Sequence, residues 1–249
     1  MNILALIPAR MGSSRFPGKP LAEILGKPMI GHVFKNVASS NLVSKTVVAT
    51  CDLEIFNYIE SIGGEAVMTS NSHERASDRC AEALLILEEK YNIIYDIVVM
   101  IQGDEPMVNS KMIYEAILPM LTDKSIKVIN LLGKIKDQIE FKNRNCIKVV
   151  TDLNDDALYF SREPIPSQSH RSENIIGKQI CIIPFKRDFL LEYTKLKPSP
   201  LEIAESIDMN RVLEHGFKVR MVKTEYDSQA VDTAEDLKMV ENIMSVNFK

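Results

Sequence analysis

Cysteine is scarce in this sequence of 249 residues, and its spacing excludes the common cysteine-based sites. The four cysteines lie far apart, so no pair has the spacing of a zinc site or a CxxC redox motif. They are Cys51, Cys80, Cys146 and Cys181. A chain of this length buries enough surface to fold without disulfides. We therefore expect reduced thiols in a cytoplasmic protein.

The sequence also lacks long apolar runs and an excess of positive charge. No run approaches the roughly 18 apolar residues that a membrane-spanning helix needs. The apolar residues 3–8 precede the charge of Arg10, which is the reverse of the order in a signal peptide. The 30 basic and 34 acidic residues give a net charge of −4, which argues against a general nucleic-acid or membrane-surface binder. The sequence predicts a soluble protein with neither kind of partner.

Short aliphatic runs alternate with amphipathic stretches in the first half of the chain. Runs without polar alternation are typical of strands that are covered on both faces. Strands are predicted at residues 3–7, 46–50, 96–101 and 126–132, and helices at residues 29–39, 53–62 and 78–90. Ser77 or Asp78 is a candidate cap for the third of these helices. This order predicts an α/β fold with a mostly parallel, Rossmann-like sheet and helices on both faces.

The pattern changes after about residue 140. Strands are predicted at 146–152, 177–183 and 217–224, and helices at 201–215 and 233–245. The polar stretch 164–174 between the first two strands has the character of an insertion or a dimer arm. We therefore predict one domain over residues 1–249, in which residues of approximately 140–215 form a smaller dimerisation and acceptor-binding insertion.

Residues 8–20, directly after the first predicted strand, carry the strongest chemical signal. The sites of open parallel sheets lie at the carboxyl ends of their strands, which is where this loop falls. It combines cations, hydroxyls and glycine, the groups that bind a polyphosphate. They are Arg10, Gly12, Ser13, Ser14, Arg15 and Lys19. The loop is not a Walker motif, because Pro20 follows Lys19 where Ser or Thr is needed. The alternative is a solvated turn with incidental charges.

Two carboxylates later in the chain are candidate metal ligands. Asp104 lies in residues 101–106, at the end of the third predicted strand, where it could hold Mg²⁺. A β-turn is the alternative for this Gly-Asp-Glu-Pro segment. Asp232 precedes the last predicted helix, and Glu235 three residues later would suit a capping box. If Thr233 caps that helix instead, Asp232 is free to bind a metal.

These segments resemble the CMP-Kdo synthetases, the 3-deoxy-manno-octulosonate cytidylyltransferases. The similarity runs in order through nearly the whole chain. It covers residues 8–20, 26–30, 49–50, 63–64, 68–70, 102–106, 157–162, 164–166, 187–190 and 231–233. The resemblance implies an α/β nucleotidyltransferase, usually a homodimer, that uses CTP and Mg²⁺. In that reaction a sugar hydroxyl attacks the α-phosphate of CTP, which releases pyrophosphate and forms a CMP-sugar.

The resemblance also implies roles for particular residues. Lys19, Asp104 and Asp232 would be catalytic, with Asp104 and Asp232 as the metal ligands and Lys19 stabilising charge at the α-phosphate. The nucleotide would be bound by Arg10, Gly12, Ser13, Ser14, Arg15, Lys19, Arg79 and Gln102. The acceptor would be bound by Arg75, Gln179, Ile183, Phe185, Asp208, Met209 and Arg211.

The chain departs from the family pattern in the acceptor segments. Ala76 replaces the glycine of His-x-Ser-Gly-Thr-Asp-Arg, Ile183 and Phe185 replace two tyrosines, and Met209 replaces a glutamine. Gln179 stands where the family has histidine. The lost hydrogen-bonding groups predict that Kdo is a poor substrate and that a related anion is the acceptor. The alternatives are an authentic CMP-Kdo synthetase and a non-catalytic nucleotide sensor, against which the intact Lys19 and metal carboxylates argue.

Overall fold

The computed structural model describes residues 1–13, 15–167 and 176–247. Ser14 and the end of the predicted polar stretch lie outside the described residues. The chain divides into two compact units, one of Met1–Tyr114 with Ser228–Lys249 and the other of Glu115–Asp227. Residues 140–215, predicted as an insertion, lie within the second unit.

The first unit contains a parallel sheet of four strands, β1 (Ile3–Ala9), β4 (Lys45–Thr50), β5 (Ala66–Met68) and β6 (Ile97–Ile101). Their order is β6-β1-β4-β5, and all three pairings are parallel. All seven residues of β1 and all five of β6 are buried, which explains their continuous apolar sequence. The prediction of an α/β fold with a mostly parallel sheet is confirmed.

Helices connect these strands. They are α1 (Met29–Ala38), α2 (Leu53–Ser61) and α3 (Ala76–Tyr91), and α4 (Ser110–Thr122) follows β6. The strand order with right-handed crossovers indicates that α1 and α2 share one face of the sheet and that α3, which returns from β5 to β6, covers the other. Neither Ser77 nor Asp78 caps α3, since the helix begins at Ala76. The sequence reading missed α4, whose internal Pro119 interrupts the helical pattern.

A small hairpin and the last helix complete the first unit. The hairpin consists of β2 (Glu23–Ile24) and β3 (Lys27–Pro28), and the helix is α9 (Ala234–Asn247). Ile24, Met29 and Val231 form a buried cluster with Val240 and Met244. This packing holds α9 against the hairpin, and it brings residue 231 to the part of the chain that contains the first loop.

The second unit contains a mixed sheet in the order β12-β7-β10-β8-β9. Its strands are β7 (Ile129–Lys134), β8 (Lys148–Thr151), β9 (Ala157–Ser161), β10 (Gly177–Ile180) and β12 (Arg220–Lys223), and β11 (Ile182–Lys186) follows β10 directly. Only β12 with β7 is a parallel pair among these neighbours. The strand predicted at 177–183 is therefore two strands, which meet at Cys181.

Besides the end of α4, the described part of the second unit contains further helices. They are α5 (Gln138–Lys142), α6 (Arg187–Tyr193), α7 (Pro200–Glu205) and α8 (Asp208–Glu214). The helix predicted at 201–215 is divided because Ser206 adopts a left-handed conformation with φ of 53° and ends α7. No helix in the described parts of either unit is long and apolar enough to cross a membrane.

Candidate active site

The loops after β1 and β6 meet at one edge of the sheet in the first unit. The two strands pair in parallel, so their carboxyl ends lie side by side. Gly103 is the second residue after β6, and a Cβ atom at this position would come within 3.1 Å of the carbonyl oxygen of Pro8. Glycine is therefore the residue that lets the two loops approach so closely.

The first loop is closed around Met11. The Met11 carbonyl accepts hydrogen bonds from the backbone N–H groups of Ser13, at 2.9 Å, and Gly18, at 3.0 Å. Gly18 has φ of 75°, a left-handed conformation that favours glycine, and it precedes a short 3-10 helix of Lys19–Leu21. This turn places Lys19 at the base of the loop.

Lys19 brings the three predicted catalytic residues together. Its Nζ donates to Asp104 Oδ2 at 2.6 Å and to the Val231 carbonyl at 2.9 Å, and it lies 3.5 Å from Asp232 Oδ1. Arg15 Nη2 donates to the same Asp232 oxygen at 2.8 Å. Residues more than eighty positions apart in sequence thus form one charged cluster, as the positions of the first loop and Asp104 after their strands predict for Lys19 and Asp104.

The charge state of Lys19 follows from this cluster. Burial lowers the pKa of Lys19, but the carboxylates of Asp104 and Asp232 outweigh burial and raise the pKa above its usual value. Lys19 is therefore an ammonium ion at neutral pH. It can stabilise negative charge, and it cannot act as a general base.

The last helix is capped in a way that leaves Asp232 to the cluster. The Asp236 N–H donates to Thr233 Oγ1 at 3.2 Å, and the Thr233 N–H donates to Asp236 Oδ2 at 2.9 Å. This reciprocal pair is a capping box, so Thr233 caps α9, as the sequence alternative anticipated. The Val231 N–H also donates to the Asp104 carbonyl at 2.9 Å, which fixes the adjacent Asp232 near Asp104.

The carboxylates of Asp104 and Asp232 are a suitable pair for Mg²⁺. Both contact the Lys19 ammonium group, and Asp232 also pairs with Arg15. Mg²⁺ takes one or two protein carboxylates and completes its shell with phosphate oxygens and water. Within the described residues no group of three or more histidine, cysteine or acidic side chains is placed to bind a metal. The site therefore fits an ion shared with a polyphosphate better than an ion enclosed by protein.

The remaining nucleotide candidates differ in exposure. Arg10, Gly12 and Arg15 are exposed, and a Cβ atom at Gly12 would meet no neighbouring atom within 4 Å. Ser13 Oγ accepts from the Phe16 N–H at 3.4 Å. Gln102, at the end of β6, is half-buried. These groups line the open side of the same loop edge.

Arg79 is buried beside this edge. It is only 3% exposed, and its Nη1 donates to Thr69 Oγ1 at 2.5 Å. Its Nη2 is buried without a hydrogen-bond partner among the described residues. Buried charged nitrogens are normally paired, so this atom is a candidate to meet a ligand oxygen.

Three of the predicted acceptor residues lie in the interior of the second unit. Ile183 is 3% exposed, and Phe185 and Met209 are fully buried. The centroids of the Phe185 and Tyr193 rings lie 6.0 Å apart. In this structure these side chains pack against protein, and their predicted position beside the acceptor stays a prediction.

The polar acceptor candidates have protein partners. Arg211 donates to both oxygens of Glu202 at 2.6 Å, and this bond raises the Arg211 pKa. Gln179 Nε2 donates to Asn130 Oδ1 at 2.6 Å, and the Asp208 carbonyl accepts from the Tyr193 hydroxyl at 3.1 Å. Arg75 lies half-buried just before α3. Arg211 is thus neutralised within its own unit, which the sequence did not predict.

Sequence reasoning missed two carboxylates that organise motifs. Glu205 accepts from the Tyr159 hydroxyl at 3.0 Å, from Ser161 Oγ at 2.8 Å and from the Arg162 N–H at 2.8 Å. Burial raises the Glu205 pKa, but these hydrogen bonds lower it more. Asp52 similarly accepts from the Met11 N–H at 2.8 Å. The hydrogen-bond partners of Glu205 and Asp52 are distant in sequence, so no local pattern marks either carboxylate.

The chain is similar to known proteins along its whole length. A family model described as cytidylyltransferase matches residues 4–224. The 3-deoxy-manno-octulosonate cytidylyltransferase of Geobacter metallireducens is 43% identical, with 98% of each chain covered. The corresponding protein of Fusobacterium nucleatum is 41% identical, with 99% of this chain and 98% of the relative covered.

Solved structures agree with these relatives. A CMP:2-keto-3-deoxy-manno-octonic acid synthetase complexed with CTP has a TM-score of 0.89 and 35% identity, with 99% of this chain and 100% of that chain covered. A cytidylyltransferase from Leptospira borgpetersenii has a TM-score of 0.65 at 20% identity, with 99% of this chain and 87% of that chain covered, and it shows the fold alone. With the sequence relatives, these matches establish that the chain belongs to the CMP-Kdo synthetase family of cytidylyltransferases.

Proposed function

We propose that this chain transfers CMP from CTP to 3-deoxy-manno-octulosonate and releases pyrophosphate. The observation that carries the proposal is the convergence of Lys19, Asp104 and Asp232 on one point at the carboxyl edge of the sheet. Relatives covering nearly the whole chain at up to 43% identity bear the name of this activity.

The loop residues would bind the triphosphate. Arg10 and Arg15 are exposed cations on the loop, and they can pair with phosphate oxygens that arrive from solvent. Lys19 is placed deeper and carries a firmly held positive charge. That charge would stabilise the additional negative charge that develops at the α-phosphate as the acceptor oxygen attacks.

Asp104 and Asp232 would hold Mg²⁺. The bound ion would neutralise phosphate charge and lower the pKa of the attacking hydroxyl. When the nucleotide arrives, its phosphates offer the Lys19 ammonium a second set of anionic partners. The two carboxylates can then face the metal while Lys19 faces the α-phosphate.

Arg79 would help to bind the nucleotide from the other side of the loop edge. Its buried Nη2 has no partner among the described residues and can donate to a ligand oxygen. Thr69 fixes the guanidinium through Nη1, so the second nitrogen is held in one direction. Gln102 completes this proposed set at the end of β6.

The acceptor is proposed to be Kdo itself. Ile183, Phe185 and Met209 are buried and give no reason to exclude it. Gln179 is half-buried and is a proposed contact for the acid, whereas Arg211 is proposed to join α7 to α8 through Glu202. A homodimer in the cytoplasm, with residues of about 140–215 at the dimer contact, completes the proposal.

The test is pyrophosphate release from CTP and Mg²⁺ across a panel of sugar acids, with mass spectrometry of the nucleotide product. We expect rapid release with Kdo, a product with the mass of CMP-Kdo, and at least tenfold slower release with UTP. Tight CTP binding without turnover of any acceptor would favour the nucleotide sensor. Turnover of another sugar acid with Kdo inert would retain the reaction and replace the acceptor.

A further inference from the structure

Asp52 is the second residue after β4, and its carboxylate holds the backbone of the neighbouring first loop. Asp52 Oδ2 accepts a hydrogen bond from the Met11 N–H at 2.8 Å. Strands β1 and β4 pair in parallel with Ala9 opposite Thr50, so both residues leave the sheet at the same edge. We propose that Asp52 is a positioning residue for CMP transfer, which fixes Lys19 in place through the first loop.

The path from Asp52 to Lys19 is short and consists of backbone hydrogen bonds. Asp52 holds the N–H of Met11, and the Met11 carbonyl accepts hydrogen bonds from the N–H groups of Ser13 and Gly18. Gly18 is the residue directly before Lys19 and has the left-handed conformation that starts the 3-10 helix. Any shift of Met11 therefore moves the turn from which the Lys19 side chain projects.

Asp52 is itself fixed from two sides. Its N–H donates to Thr50 Oγ1 at 3.1 Å, and its carbonyl accepts from the Phe56 N–H at 3.1 Å in the first turn of α2. Thr50 is fully buried, and its carbonyl accepts from Thr69 Oγ1 at 3.1 Å. The carboxylate therefore extends from a rigid turn, which suits a group that positions a loop.

The charge of Asp52 does not explain its place. A carboxylate beside a loop that binds a triphosphate repels the ligand, so its contribution must come from the oxygen that accepts the Met11 N–H. Asparagine offers a similarly placed oxygen without the charge, whereas alanine offers none. The two substitutions therefore separate the positioning role from any electrostatic one.

The expected result concerns kcat more than KM, since Lys19 acts mainly in the transition state. Asp52→Ala should lower kcat about tenfold and change KM for CTP less than threefold, because a small misplacement of a catalytic group is costly. Asp52→Asn should keep kcat within about threefold of the wild-type value. An equal loss in both variants would contradict the role of the oxygen.

Asp96 provides a matched control, because it binds the backbone just before β1, whereas Asp52 binds the backbone just after β1. Its Oδ2 accepts from the Asn2 N–H at 2.7 Å, just before β1 begins. Asp96→Ala removes the same type of hydrogen bond far from the first loop. We expect its kcat to remain within twofold of wild type, and a loss equal to that of Asp52→Ala would show a merely structural effect.

A double-mutant cycle tests whether Asp52 acts through Lys19. In the Lys19→Ala background, Asp52→Ala should lower kcat less than threefold further, since the group being positioned is gone. A full tenfold loss in both backgrounds would overturn the proposal. If Asp52→Ala does not fold, Asp52→Glu replaces it in the cycle, because its longer side chain displaces the accepting oxygen.

This inference rests on the proposed function, but hydrogen exchange tests it independently of activity. The Met11 amide should exchange at least tenfold faster in Asp52→Ala than in wild type, and unchanged exchange would contradict the hold on the loop. Failure of wild type to release pyrophosphate with any acceptor would instead overturn the proposed function. The two failures are therefore distinguishable.

Discussion

At the scale of single residues, the site depends on one lysine that is shared by two carboxylates. Lys19 contacts Asp104 and Asp232, and its side chain is only 13% exposed. Removing either carboxylate leaves the ammonium group with one acidic partner. The consequences for the metal and for the lysine can therefore be separated by measuring activity at several Mg²⁺ concentrations.

Asp104→Asn should keep the fold and lose most of the Mg²⁺-dependent activity. A neutral amide is a weaker ligand for a hard cation, so we expect about a 100-fold loss at limiting Mg²⁺, equivalent to roughly 3 kcal/mol. The measurement is kcat/KM for CTP as a function of Mg²⁺. Glu105→Gln is a neighbouring control, since Glu105 is buried and its Oε2 accepts from Ser228 Oγ. Normal turnover of Asp104→Asn at limiting Mg²⁺ would reduce Asp104 to a turn residue.

At the scale of elements, the edge of the sheet is assembled from parts that the sequence reveals unequally. The loops after β1 and β6 could be predicted, because strand ends in a parallel sheet point to one edge and their residues are chemically distinctive. The positions of Asp52 and Glu205 could not be predicted, because their partners are distant in sequence. The division between α7 and α8 depends on the single left-handed residue Ser206, which interrupts an otherwise helical pattern.

Thr233→Ala should destabilise the last helix and disturb the metal carboxylate beside it. Loss of an N-cap costs about 1 kcal/mol, which should appear in the free energy of unfolding measured with urea. Thr233→Ser keeps the hydroxyl and serves as the control. Because Asp232 adjoins the cap, we also expect a higher Mg²⁺ requirement in Thr233→Ala. Equal stability of the alanine and serine variants would show that another group caps α9.

Glu65 links strand β4 to helix α3 through two lysines and a tyrosine. Lys45 Nζ lies 2.5 Å from Glu65 Oε2, Lys90 Nζ lies 2.9 Å from Oε1, and the Tyr91 hydroxyl also donates to Oε1. Burial alone would raise the Glu65 pKa, but the hydrogen bonds from Lys45, Tyr91 and Lys90 lower it to about 2. This network ties β4 to the end of α3.

The lowered pKa of Glu65 predicts a pH-dependent contribution to stability. Because the Glu65 pKa is lower in the folded chain than its ordinary value of 4.5, the ionised carboxylate stabilises the fold above pH 4.5. This stabilisation is lost as the pH falls toward 2. Glu65→Gln should therefore cost about 1–2 kcal/mol at pH 7 after allowance for solvent screening. The difference from wild type in urea unfolding should shrink between pH 4.5 and 2. A difference that is constant over this range would contradict the ion-pair origin.

At the scale of the whole molecule, the fold class and the family could be predicted, whereas the acceptor side could not. The apolar runs and their order indicate an α/β fold with a mostly parallel sheet, and this prediction is confirmed. The inference of an altered acceptor relied on Ile183, Phe185 and Met209 facing a ligand. All three side chains are buried in this structure, and a sequence comparison of residue types does not report burial.

The proposed homodimer is tested by light scattering coupled to size-exclusion chromatography. We expect a mass twice that of the chain, at concentrations from micromolar upward. Leu153 and Leu158 are strongly exposed at the β8–β9 hairpin and lie inside the predicted dimerisation region. Replacing both with glutamate should halve the mass if they are at the contact, whereas glutamate at Ile94, which is exposed in the first unit, should not. A monomeric wild-type protein would overturn the proposal.

The central claim is that Lys19, with Asp104 and Asp232, forms the site of CMP transfer. Its most direct test compares kcat for CMP-Kdo formation with the Kd for CTP in wild type and Lys19→Ala, using Lys27→Ala as a control on the exposed strand β3. Because the Lys19 charge acts mainly in the transition state, kcat should fall by about 100-fold or more while the Kd for CTP changes less than tenfold. Lys27→Ala should leave both values unchanged. A weaker affinity for CTP with unchanged kcat in Lys19→Ala would contradict the account.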